Sequence, residues 1–290
     1  MLIAILGVLA TIKPGRSPQV ATPLFDIREK PVSVLTLDNG EHMRFERKEG
    51  GWELVEPFHA RVNQIRLEQL LSIPMLTPAR EYPLADAAEL KNYGLASPFA
   101  TLGIDGHVFQ FGDVTPLDRR RYVRFEDRLC LLDDGFSHQL ASKATDFVDK
   151  KLIPDQFVLQ GISIPGFRVS RKAEGGGWIS SPTLEQDHLQ DLIMQWSTAR
   201  AIEVRMGAPK VLGETIEVET AMGPIRFSIL QKTPELILGR NDQNLIYVMT
   251  SESSRLLLNP AAEKKEMRPE GHETDGDHEE HEHEHDLDGE

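Results

Sequence analysis

A single cysteine, Cys130, stands among the 290 residues. An intramolecular disulfide is therefore impossible, and zinc sites built on paired thiolates are excluded. Its setting, Arg128-Leu129-Cys130-Leu131-Leu132, is apolar and strand-like, which suits a small buried hydrophobe better than a reactive thiol. A basic face is also missing. Lys and Arg number 32 against 46 Asp and Glu, a net charge of −14. Phosphate backbones require clustered positive charge, so nucleic acid is not an expected partner. Nor is there an uninterrupted apolar run at the N-terminus long enough to cross a bilayer. Residues 1–12 (MLIAILGVLATI) carry no charge, but Lys13-Pro14-Gly15-Arg16 ends the stretch short of the roughly 20 residues a spanning helix needs. The basic leader and small-residue cleavage site of a signal peptide are absent as well.

Two readings of residues 1–12 stay open. One is a membrane anchor whose first residues lie upstream of Met1; the other is a strand or short helix packed on the body. Residues 13–24, rich in Pro, Gly and Ser, suit a linker, which favours the anchor. Lys13 and Arg16 on its trailing side count against export, so its orientation is open. Beyond the linker, 40% apolar and 27% charged residues describe an ordinary globular body. The acid is concentrated at the other end. Residues 261–290 hold thirteen Asp and Glu against three Lys and Arg, a net of −10, so the remaining 260 residues carry only −4. A segment of that composition has too little to bury and is expected to be disordered.

The body repeats itself. Arg44-Phe45-Glu46-Arg47-Lys48, Gly50-Gly51-Trp52 and Pro57 are answered by Arg168-Val169-Ser170-Arg171-Lys172, Gly176-Gly177-Trp178 and Pro182. A helical segment follows each tryptophan. Ile65, Leu67, Leu70, Leu71 and Ile73 mark the first; Leu184, Leu189, Leu192, Ile193 and Trp196 mark the second. Both show the i, i+3, i+4 recurrence of a helix with one buried face. Thr77-Pro78-Ala79-Arg80 then matches Ser197-Thr198-Ala199-Arg200. Further on, Phe111-Gly112, Tyr122-Val123 and residues 129–132 pair with Leu238-Gly239, Tyr247-Val248 and residues 256–258. Tight-turn signals at Asp38-Asn39-Gly40, Asp105-Gly106 and Met222-Gly223-Pro224 sit between strand-like runs, so hairpins return directly. The expected fold class is α+β: two duplicated modules of antiparallel sheet with packed helices. Residues 25–150 form module one and residues 151–260 module two. Both repeated tryptophans are expected to be core anchors where sheet meets helix.

Trp52 and Pro57, a helix, Asp86-Ala87-Ala88-Glu89-Leu90, Tyr93-Gly94-Leu95 with Pro98, and Tyr122-Val123 together resemble the bacterial domain-of-unknown-function family 4340. The resemblance runs over about residues 25–260, although module two lacks the Tyr-Gly-Leu phrase. It implies a protein tethered by an N-terminal membrane helix, with some relatives accompanying ABC-type transport and gliding-motility components. No activity and no catalytic residue come with it. In physical terms the phrase is a helix ending: residues 85–92 form a short helix, Gly94 takes the left-handed cap and Pro98 forbids continuation.

Five of the ten histidines fall in the acidic tail: His272, His278, His281, His283 and His285. Interleaved imidazoles and carboxylates are ligands for Zn²⁺, Ni²⁺ or Cu²⁺. In an extended chain His281, His283 and His285 face one way, so with His278 they are the candidate metal ligands. Ordering a flexible segment lowers affinity, and no metal is required for folding. His281-Glu282-His283-Glu284-His285 formally fits the HExxH pattern, but that chemistry needs a rigid helix, a third ligand and a cleft. Gly161-Ile162-Ser163-Ile164-Pro165 lacks the second glycine of a nucleophile elbow. The triple glycine at 175–177 is a hairpin turn and not a phosphate cradle. Arg119, Arg120, Arg121 and Arg124 read as a solvated basic loop, or else as a dock for an acidic partner or lipid headgroups. The leading expectation is a non-enzymatic, membrane-associated scaffold or accessory module of an envelope or transport complex, facing the extracytoplasmic (periplasmic) side. Its alternatives are a metal-binding protein acting through the tail, and an enzyme with an unfamiliar site.

Overall fold

The computed structural model describes residues 22–28, 30–83, 87–172, 176–208 and 213–261. Within them, seventeen strands form two sheets, and every strand pair is antiparallel. Sheet one is built from β1 (Val34–Asp38), β2 (His42–Lys48), β3 (Gly51–Glu56), β4 (Ala60–Arg61), β5 (Arg80–Pro83), β6 (Ala100–Ile104), β7 (His107–Val114), β8 (Arg120–Phe125) and β9 (Arg128–Asp133). Its spatial order is β4-β3-β2-β1-β6-β7-β8-β9-β5. Sheet two uses β10 (Leu159–Ile164), β11 (Phe167–Arg171), β12 (Trp178–Ser181), β13 (Glu203–Met206), β14 (Thr215–Thr220), β15 (Gly223–Gln231), β16 (Leu236–Arg240) and β17 (Leu245–Met249). Its order is β12-β11-β10-β14-β15-β16-β17-β13. With β4 set aside, the two orders coincide strand for strand.

The helices fall in matching places. Helix α1 (Gln64–Ser72) follows β3, and its Asn63 cap accepts from the Arg66 amide at 3.3 Å. Leu67 and Leu70 are fully buried in the core of sheet one, each contributing about 1.5–3 kcal/mol. A single turn, α2 (Ser137–Leu140), closes the first module. In the second, α3 (Gln186–Thr198) buries Leu189, Leu192 and Trp196, and α4 (Ser251–Leu258) ties onto it where Trp196 Nε1 donates to the Leu257 carbonyl at 3.1 Å. Cross-strand pairs recur too. Arg47 lies opposite Trp52 and Arg171 opposite Trp178, each guanidinium within 6 Å of its indole. The peptide bonds before Pro57 and Pro182 are both cis.

Three sequence expectations need correction. In its last third, the repeat is one element out of step. Gly239 lies in β16, whose place is that of β8, whereas Gly112 lies in β7; Tyr247 lies in β17, the counterpart of β9; and residues 256–258 lie in α4, the counterpart of α2. The cause is the Tyr-Gly-Leu segment. Residues 84–99 join β5 to β6, while only residues 207–214 join β13 to β14, so the true offset drops by eight after that point. Second, the segment itself is a 3-10 helix, Ala87–Tyr93. Gly94 does take the left-handed conformation, with φ +68, and it is pressed against β7. A Cβ at Gly94 would lie 2.4 Å from Asp113 Cγ, and one at Gly112 would lie 2.1 Å from the Tyr93 carbonyl. Third, Trp178 is only half-buried, whereas Trp52 is 5% exposed.

The basic cluster is a solvated loop only at Arg119, which is exposed ahead of β8; Arg120, Arg121 and Arg124 lie in the strand. Arg121 is 7% exposed; it donates to the Gly112 carbonyl at 2.5 Å and to Asp134 at 3.0 Å, and lies 4.5 Å over the Phe99 ring. Arg120 is held by Asp118 and Asp133, both at 2.9 Å, and Arg124 reaches Gln110 at 3.3 Å. Alternation along β8 turns Arg121 to the core side, where the equivalent slot in β16 holds Leu236. Cys130, fully buried, is the small hydrophobe its neighbours suggest, and burial pushes its thiol up to about 11. Replacing Arg121 with alanine strands Asp134 and the Gly112 carbonyl in the interior. A loss of about 3 kcal/mol is expected, read as a lower urea midpoint at unchanged slope.

Candidate functional site

The two sheets are joined through residues 147–152, beside which Ala60 of β4 is buried in the core of sheet two. The carbonyl of Phe147 accepts from Asn63 at 2.7 Å, Val148 bridges Val62, and the Asp149 amide donates to the Arg61 carbonyl at 2.8 Å. Two residues later the pairing changes partner. The Lys150 carbonyl accepts from Ala201 at 2.8 Å, Lys151 bridges Arg200, and the Leu152 amide donates to Ala199 at 3.1 Å. The connector thus extends the edge of sheet one on one side and the chain leaving α3 on the other.

This crossing leaves a cleft of about 570 Å³. Its walls carry charge. Arg61 Nη2 holds Asp149 at 3.1 Å, Lys151 pairs with Asp155, and Glu53 faces Arg61 across β3 and β4. The Lys151 ammonium beside Asp155 holds that carboxyl below its ordinary range, against the opposing effect of desolvation, and Arg61 and Arg200 add to the lowering. Arg61 Nη1 is buried without a hydrogen-bond partner, 5.9 Å separating its guanidinium carbon from the Phe157 ring centre. Arg200 lines the cleft with its side chain exposed and unpaired among the described residues. Trp52 and Phe157 supply aromatic surface, and Ile65 and Met222, 70% and 72% exposed, form apolar lips. The first turn of α1, whose amides have no intrahelical acceptors and which contains no acidic residue, also opens here. Such a wall can grip apolar groups and polar or anionic ones. Its carboxylates Asp149 and Asp155 are each committed to a cation. Tyr247, close enough to sense Asp149 and Arg61, is pushed up to about 12 by burial and stays a neutral phenol.

The family model described as "Domain of unknown function (DUF4340)" matches residues 52–212. The chain belongs to this family. The match straddles the connector and takes in every charged residue of the cleft, so the family's shared region includes the junction as well as parts of both sheets. No curated protein and no solved structure matches the chain.

None of the residues singled out from the sequence as metal ligands, His278, His281, His283 and His285, lies within the described residues, and neither do residues 1–12. Among the described residues no group of three or more His, Cys, Asp or Glu is placed to hold a metal, and no helix is long and apolar enough to cross a membrane. The cleft residues went unnoticed in the sequence because 88 positions separate Arg61 from Asp149. One signal was available: Asp149-Lys150-Lys151 is a compact charge run at the boundary between repeats.

The scattered histidines are local. His107 packs 4.4 Å from the Phe25 ring, and His42 sits between two carboxylates, Asp38 at 2.5 Å and Glu56 at 3.2 Å. The Asp38 hydrogen bond raises the His42 pKa above the ordinary histidine value; desolvation opposes it and Glu56 assists. A raised folded-state value stabilises the fold below about 6.5, and that gain is lost as pH climbs through the folded pKa. Solvent exposure keeps the gain small. By NMR, His42 is expected to titrate at higher pH than in Asp38→Asn. The stability gap between the two proteins should close toward alkaline pH.

Proposed function

We propose that the chain works by recognition rather than turnover, as a membrane-associated accessory or scaffold module of an envelope or transport complex. In this reading it faces the extracytoplasmic side and takes its partner at the junction cleft. The observation that carries the reading is the pair of exposed apolar lips, Ile65 and Met222, beside unpaired Arg200 and the Trp52 and Phe157 walls. Aromatic, methionine and arginine side chains around a concave patch are the composition of interface centres. We also infer that both modules descend from one unit copied within the chain. The shared strand order and the recurring Arg–Trp pairs support that descent. The apolar stretch at residues 1–12 supports a tether.

One experiment separates tether from cleft. Deleting residues 1–12 is expected to move the protein into the soluble fraction. The double variant Ile65→Asp, Met222→Asp should stay with the membrane at unchanged Tm yet lose co-purification with its complex. A double variant that still co-purifies with the complex rejects the cleft, and an unchanged distribution on deletion rejects the tether.

A second reading rests on the five histidines of residues 261–290. The tail binds Zn²⁺, Ni²⁺ or Cu²⁺ through His278, His281, His283 and His285, with the modest affinity expected of a segment that must order on binding. Titration calorimetry on the full chain and on a chain ending at Ala261 should show heat only for the former; equal heats dismiss the tail site.

A further inference from the structure

In sheet one the outer edge of β3 is covered. Strand β4 pairs with it, Arg61 opposite Glu53 and Ala60 opposite Leu54, and the Val62 amide donates to the Trp52 carbonyl at 3.2 Å. Val62, buried in the same core as Trp52, closes over it, while Ala60 is buried against the core of sheet two. Strand β12 holds the same place in sheet two, and no strand covers it among the described residues. The reason is chain length. Seven residues, 57–63, separate β3 from α1, whereas residues 182–185 between β12 and α3 are too few to turn back and form a strand.

The uncovered edge has the marks of an unfilled place. Trp178 is half-buried where its counterpart is closed over, and Ile179 is 49% exposed. Because the Lys172 amide donates to the Gly177 carbonyl across the hairpin, alternation turns the backbone of Trp178 and Ser180 away from β11. The Trp178 carbonyl receives only a side-chain bond, from Gln186 Nε2 at 3.3 Å, where Trp52 receives a backbone amide. Arg171, 5.4 Å over the Trp178 ring, and Lys172 stand beside this edge with no carboxylate partner among the described residues.

We propose that β12 is a strand-addition site for an extended, acidic segment of a partner protein. Module one supplies the template. Running antiparallel to β12, the segment places a small residue opposite Ser180, as Ala60 stands to Leu54, and a β-branched residue over Trp178, as Val62 stands to Trp52. An apolar residue between them meets Ile179, and acidic residues next in line meet Arg171 and Lys172. Backbone hydrogen bonds give the affinity, and Trp178 with the two cations gives the selectivity.

The test uses the full chain and the capped hexapeptide TAIVEE, with TAIVKK as its charge-reversed control. By NMR hydrogen exchange, saturating TAIVEE is expected to slow the Ser180 amide at least tenfold and to leave the edge strands β5 and β13 unchanged. In calorimetry Ser180→Pro, which removes the outward amide, should abolish binding. Ser180→Ala, which loses the same hydroxyl bond to Leu184 but keeps the amide, should bind as the unmodified chain does. Gln186→Ala frees the Trp178 carbonyl and should tighten binding severalfold. An unslowed Ser180 amide, equal binding of TAIVKK, or full binding by Ser180→Pro overturns the proposal. These outcomes leave the junction cleft untouched, since β12 contributes nothing to it.

Discussion

The arrangement depends on a backbone constraint: residues 147–152 hydrogen-bond to the edge of sheet one through Phe147, Val148 and Asp149, then to the chain between α3 and β13 through Lys150, Lys151 and Leu152. An exposed sheet edge carries unsatisfied donors and acceptors, and burying one without partners is costly. The connector satisfies the edge at β4 and, within the same few residues, fastens the chain leaving α3. Each sheet has its own apolar core, and at the junction the two share burial: Ala60 of β4 lies in the core of sheet two and Phe58 packs against both. The charged side chains then follow from the backbone. Asp149 and Lys151 point from the connector to Arg61 and Asp155, and the cleft exists because the sheets are held apart at that width.

Much of the fold was legible from local patterning. Hairpins around Asn39-Gly40 and Asp105-Gly106 were readable because those turns need backbone conformations that few residues tolerate, and both appear with positive φ at Gly40, Asp105 and Gly106. The helices after Trp52 and Trp178 were readable because their buried faces recur at helical spacing. The register of the repeat in its last third was not, because short motifs such as Tyr-Val recur by chance in strands, and the connection from β13 to β14 is eight residues shorter than that from β5 to β6. Arg121 misled for a related reason. Three consecutive arginines suggest solvent, but alternation along a strand sends neighbours to opposite faces, and only coordinates show an acceptor waiting on the inner one. The cleft was least legible, since its charges come from five separated segments.

The two modules differ where their surroundings differ. Module one carries the Tyr-Gly-Leu segment, seated in a groove that Gly94 and Gly112 keep open by lacking Cβ atoms, and it carries β4. Among the described residues module two has no counterpart of either, but it has a longer closing helix, α4, which locks Trp196 in place. Most core positions are apolar in both sheets, Arg121 against Leu236 being an exception, while edges and connections differ more, as expected when burial constrains the centre of a sheet more tightly than its rim.

The connector's grip is main chain to main chain with the Arg61–Asp149 ion pair beside it, and the side chains of Ile65, Met222 and Arg200 take no part in that grip. Those three side chains can therefore be exchanged without removing any hydrogen bond that joins the connector to either side. On the proposed reading of the cleft, one scaffold can serve different tenants, each fitting a doorway whose frame does not have to be rebuilt.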